Sequence, residues 1–160
     1  MNEQELTRLV EKFSGTVYRA AYCCLHNSAD ADDMTQEAFL ALYTSGTEFS
    51  SDEHIKAWLI RVAVNRCRNL LRSFRYRTTV PLDEAGELPA EYERRDSILP
   101  LVMKLKPDYR VVLYMFYYED MPVKQIAGIL GEKPTAVTTR LARARQKLKQ
   151  LLEKEGYDEY

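Results

Sequence analysis

The stretch RTTVPLDEAGELPAEYERR, residues 77–95, constrains most strongly what this chain can fold into. Two prolines, a glycine, five acids and few apolar side chains leave it without helical or alternating periodicity. Such a stretch has no face to bury and reads as a flexible linker, placed at 77–96. It divides the chain into two candidate domains, 1–76 and 97–155. The chain has 160 residues and a hydrophobic fraction of 46%, enough apolar material for packed cores.

Both halves repeat apolar residues at three- and four-residue steps. Leu6, Leu9, Phe13, Val17, Ala20 and Cys24 predict a helix over 3–25. Ser28 or Asp30 can cap a second helix to about Tyr43, with acids in its first turn, where the helix dipole favours them. A loop-like segment, TSGTEFSSDE, leads to a long helix over about 54–74. Beyond the linker come a short helix over 98–106, containing Pro100, and one opening at Pro107 and broken at Met121-Pro122. A helix over 123–130 ends at Gly131, and a basic helix runs over 135–154. No strand pattern appears. The expected fold is all-α: two small helical domains joined by a flexible linker.

Several function classes are disfavoured. Cys23, Cys24 and Cys67 form no disulfide pattern. With His26, the first two could bind metal, but they read as small apolar helix residues. No nucleophile constellation surrounds His26 or His54, and there is no glycine-rich phosphate loop and no HExxH. We therefore expect no enzyme activity, cofactor, metal or small-molecule substrate. The N-terminal MNEQELTRLVEK lacks a signal-peptide core, and the apolar run VVLYMFYY is shorter than the roughly 20 residues of a membrane span. A cytoplasmic address is expected.

The formal net charge of −1 conceals a sharp segregation. DADDMTQEAFL (30–40) carries four acids and no base, whereas HIKAWLIRVAVNRCRNLLRSFRYR (54–77) carries seven bases and no acid. On the second helix, Asp33, Gln36, Glu37 and Leu40 share an outward face bordered by Tyr43. Apolar residues framed by acids suggest a protein-docking surface that would repel DNA. On the third, Arg61, Asn65, Arg68, Arg72 and Arg75 form one stripe, suited to a nucleic-acid backbone with limited base reading. Arg66 is expected to snorkel or pair with an acid of a neighbouring helix, and Trp58 to pack rather than stack on a base.

In the second half, a short helix, a glycine-ended turn and a longer helix predict a helix-turn-helix. Its last helix buries Val137, Leu141, Ala144, Leu148 and Leu151. The opposite side carries Thr135, Thr138, Thr139 and Arg143, flanked by Arg140 and Lys147, and residues 134–152 hold five bases and no acid. Such a helix can enter the major groove with its first turns at the base edges. Arg145 and Lys149 lie further round, facing phosphate or solvent.

DADDMTQEAFLALY followed by IKAWLIRVAVNRCRNLLR resembles region 2 of bacterial RNA polymerase sigma factors. LKPDYRVVLYMFYYEDMPVKQIAGILGEKPTAVTTRLARARQKLK resembles region 4. The likeness covers about 10–73 and 98–152 and leaves no room for regions 1.1 and 3, as in the extracytoplasmic-function (ECF) subfamily. It implies transcription initiation: core RNA polymerase and promoter DNA as partners, and often a membrane-anchored anti-sigma factor. It implies that Asp33, Gln36 and Glu37 dock on the β′ clamp. The Asn65 stripe would bind and help melt the −10 element, and loop 44–53 would capture a flipped base. The helix from Thr135 would read the −35 element while region 4 also docks on the β flap. Three departures are Ala136 where family members usually have Thr, Lys133-Pro134 in the turn, and Pro100; they leave the −35 preference open. The alternative reading is a stand-alone helix-turn-helix repressor or activator, which requires a dimer and a palindromic site.

Overall fold

The structure is a computed structural model, and it describes residues 1–73 and 99–155. The linker expected at 77–96 and Arg75 lie outside the described residues. The chain divides into two compact units, Met1–Glu84 and Ala85–Tyr160. All regular structure among the described residues is helical.

The first unit holds α1 (Glu3–Leu25), α2 (Ser28–Thr44) and α3 (Asp52–Arg72), each packed on the other two. Each start is chemically marked. The side chains of Asn2, Asn27 and Ser51 accept from the N–H groups of Glu5, Asp30 and His54 at 2.8, 2.9 and 3.1 Å. Acids fill each first turn, where N–H dipoles favour them. The α2 cap is thus Asn27 rather than the expected Ser28 or Asp30. Leu9, Phe13, Val17, Phe39, Leu42 and Leu59 form the centre of the core. Burying one such leucine contributes about 2 kcal/mol. All three cysteines are buried free thiols. A hydrogen bond with Cys24, reinforced by burial, pushes the Cys67 thiol far above its ordinary range, so it packs as a neutral group.

In the second unit, α4 is a single turn, Leu99–Val102, shorter than the expected helix. Two tight turns follow, Lys104 N–H to Leu101 O and Leu105 N–H to Val102 O, both 3.0 Å. Lys106 is then extended (ψ 151°), as the residue before a proline must be. Pro107 opens α5 (Pro107–Leu113), which continues into a π-helical turn, Tyr114–Tyr118. Asp120, with φ 53°, ends that stretch before Pro122. Next come α6 (Val123–Leu130) and α7 (Pro134–Lys154), both packed on each other and closed over Val112, Met115, Ile126, Val137 and Leu141. In α7, Leu152 is buried, while Leu148 and Leu151 are half-buried.

Candidate functional site

On α2 the buried side is Ala31, Ala38, Phe39 and Leu42. That rotation turns Asp33, Gln36, Glu37, Leu40 and Tyr43 to solvent together. Leu40 is 63% exposed and Tyr43 41%, so an apolar patch does stand among acids. Glu37 reaches Arg66 of α3, Oε1 to Nη1 3.3 Å. Arg66 was expected either to snorkel or to pair; it pairs, and it is exposed rather than turned to the core. With both side chains close to half exposed, this contact contributes little stability.

On α3, Ile55, Leu59, Ile60, Ala63, Val64 and Cys67 face inward. Arg61 and Arg72 are exposed, and Asn65 and Arg68 are half-buried at the edge of the same side. The loop before α3 turns at Gly46 (φ 66°) and sends Phe49 inward, edge-on to Trp58 at 5.7 Å and to His54 at 5.1 Å. Trp58 packs against the core beside Phe49. Residues 45–48 remain exposed. The Ser50 N–H donates to His54 Nδ1 at 3.2 Å, tying the end of the loop to α3.

Four charged side chains unnoticed in the sequence lock α1 to the start of α3. Asp52 accepts from Arg8 at 2.9 Å and from Lys12 at 2.7 Å, and Arg8 also reaches Glu5 at 2.8 Å. The hydrogen bonds from Arg8 and then Lys12 hold the Asp52 carboxyl well below the usual carboxylate range.

On α7, Thr135, Thr138, Thr139, Arg143 and Lys147 are exposed. Pro134 occupies the first helical position, so α7 starts one residue earlier than expected. The Thr138 hydroxyl donates to the Pro134 carbonyl at 3.1 Å and keeps its lone pairs outward. Two cations depart from the expected placement. Arg140 is half-buried against Glu132, Nη2 to Oε2 2.8 Å. Arg145 does not simply face solvent: its Nε donates to the Tyr117 hydroxyl at 2.6 Å, and its guanidinium lies 5.5 Å from the Phe116 and Tyr117 ring centres. Sequence reading also missed Arg110, buried and donating to the Leu105 carbonyl at 2.6 Å. Only its place among the apolar run of α5 hinted at that. Among the described residues, no three His, Cys, Asp or Glu side chains are grouped to hold a metal.

The chain has relatives among known proteins. Residues 9–77 match the Sigma-70 region 2 family model, and residues 95–148 match that of Sigma-70, region 4. The chain is 28% identical over 148 residues to the ECF RNA polymerase sigma factor SigM of Mycobacterium tuberculosis, covering 91% of this chain and 76% of that protein. It is 30% identical over 142 residues to the RNA polymerase sigma factor SigV of Bacillus subtilis, covering 86% and 85%. Among solved structures it resembles CnrH in complex with the cytosolic domain of CnrY, with a TM-score of 0.67, 26% identity, and coverage of 97% and 92%.

Proposed function

Because the chain belongs to the ECF group of sigma-70 factors, proteins that bind core RNA polymerase and direct promoter-specific initiation, we propose that its exposed surfaces divide that work. Asp33, Gln36, Glu37, Leu40 and Tyr43 of α2 dock on the β′ clamp. Arg61, Asn65, Arg68 and Arg72 of α3, with Arg75 beyond the described residues, hold and help open the −10 element. Thr135, Thr138, Thr139, Arg143 and Lys147 of α7 read the −35 element, and the same unit docks on the β flap. The observation that carries this division is the difference in charge between the outward side of α2 and the arginine side of α3. An acidic helix presents exposed leucine and tyrosine, and its packed neighbour presents arginine.

Sigma factors are initiation factors, and we assign this chain no catalysis of its own. The described helices include none long and apolar enough to cross a membrane, which fits action in the cytoplasm. The likeness to CnrH, solved with the cytosolic domain of CnrY, supports a further protein partner, and we assign that place to an anti-sigma factor. A stand-alone repressor or activator would have no use for the region 2 match.

The test is transcription in vitro with core polymerase and a pool of promoter fragments, mapping the transcript starts. We expect specific starts only with the protein present. Gln36→Ala and Glu37→Lys should remove them. Arg66→Ala, which breaks the same ion pair from the other side, should not. Equal loss in Glu37→Lys and Arg66→Ala, with Gln36→Ala spared, would mean that the pair, rather than the docking face, matters. Absence of any start with the wild-type chain would sink the reading.

A further inference from the structure

The turn between α6 and α7 carries a contact that neither helix requires. Gly131, with φ 67°, ends α6, and the Glu132 N–H returns to the Ala127 carbonyl at 3.0 Å. This ending holds Glu132 in a fixed place beside the start of the next helix. Its carboxylate meets Arg140, two turns into α7, at 2.8 Å. The pair is 20% and 21% exposed, against 43% and 46% for Arg66 and Glu37. The contact is an ion pair rather than an aligned hydrogen bond, and Arg140 Nη1 is buried without a hydrogen-bond partner. A guanidinium turned inward in this way does not offer its fork to a phosphate or a guanine edge. Thr139 and Arg143, its neighbours on α7, are exposed. The helix also needs something to fix its entry, because neither α6 nor α7 has a side-chain cap at its N-terminus.

We propose that Arg140 is a positioning residue: with Glu132 it forms a strut across the turn that sets the angle of the reading helix. This rests on the reading of α7 as the −35 reader. Loss of either end loosens the angle, and the cost falls on −35 recognition. The strut and a direct phosphate contact predict opposite signs for Glu132. If Arg140 touched DNA, removing Glu132 would release a cation and strengthen binding.

The experiment uses holoenzyme reconstituted with the full chain, on a promoter obtained from the transcript mapping and on its −35-scrambled form. The variants are Glu132→Ala, Arg140→Met, and the exchange of Glu132→Arg with Arg140→Glu. Glu132→Ala and Arg140→Met should each weaken promoter binding by roughly three- to tenfold, in the lower part of the range of pairwise couplings between contacting residues. The exchange should recover most of it. The loss should vanish on the scrambled promoter, and the slope of log affinity against log salt should stay unchanged. Tighter or unaltered binding by Glu132→Ala, or a slope reduced by about 0.9 in Arg140→Met, the value of one phosphate contact, would overturn the strut. If circular dichroism shows a variant unfolded, Glu132→Gln, which removes the charge and keeps the shape, decides by the same sign. No initiation by the wild-type chain overturns the sigma reading itself, whereas wild-type initiation with a gain in Glu132→Ala overturns only the strut.

Discussion

Asp52 and Arg110 are charged residues that the fold uses for itself. Asp52 sits where helix-start logic wants an acid, but Arg8 and Lys12 of another helix also converge on it. Its folded pKa is depressed below the unfolded value, so its stabilisation is full above the ordinary carboxylate range, roughly pH 5 and up. It is lost as pH falls toward the depressed folded value. We expect Asp52→Asn to lower Tm at neutral pH and the two melting curves to converge in acid. A Tm difference constant with pH would remove the ionic explanation. Arg110 is the opposite case, a cation 6% exposed that closes the turn before α5 by donating to Leu105. Arg110→Met should cost about 2 kcal/mol in urea unfolding of the full chain, since a buried carbonyl loses a charged donor. A change below a few tenths would mean that the turn holds without it.

Helix ends show how far local chemistry carries at the scale of an element. The limits 3–25 and 123–130 follow from periodicity and end signals, and the structure has the same limits. The short helix expected over 98–106 collapses to four residues, because Pro107 forces Lys106 into extended backbone and the turns before it tighten. Gly128 and Gly131 make a paired test of this logic. A Cβ at either meets nothing within 4 Å, but Gly131 has φ 67° and Gly128 has ordinary helical backbone. Gly131→Ala should therefore destabilise by about 1 kcal/mol, and Gly128→Ala should stabilise by a similar amount. Equal signs in thermal unfolding would refute the conformational account.

At the scale of the whole molecule, the near-zero net charge is an average over faces of opposite sign. On the proposed assignment the acidic face of α2 repels DNA and α3 and α7 attract it, so the free chain should bind promoter fragments weakly. With that face covered by polymerase as proposed, the two basic helices should bind promoter DNA as linked weak sites and gain from effective concentration. Holoenzyme affinity should fall steeply with salt, by about 0.9 in log–log slope for each phosphate engaged. Arg143→Ala should flatten that slope or relax base preference at the −35 element. Identical affinity at low and moderate salt would count against the backbone contacts.

The sequence by itself determined where most of the helices lie, which sides are apolar, and that α2 carries acids without bases while residues 54–77 carry bases without acids. These are properties of neighbours three or four positions apart, and the chain order encodes them directly. It also carried the region 2 and region 4 patterns, because their signatures lie within single helices and turns. Only the tertiary structure decided which charges are spent internally. Arg66 to Glu37, Arg8 and Lys12 to Asp52, Arg140 to Glu132 and Arg145 to Tyr117 all join residues that lie in different elements. A guanidinium's long, flexible stem lets it reach a partner anywhere within several ångströms. Whether an arginine on a basic stripe meets DNA or its own protein therefore depends on what packing brings beside it.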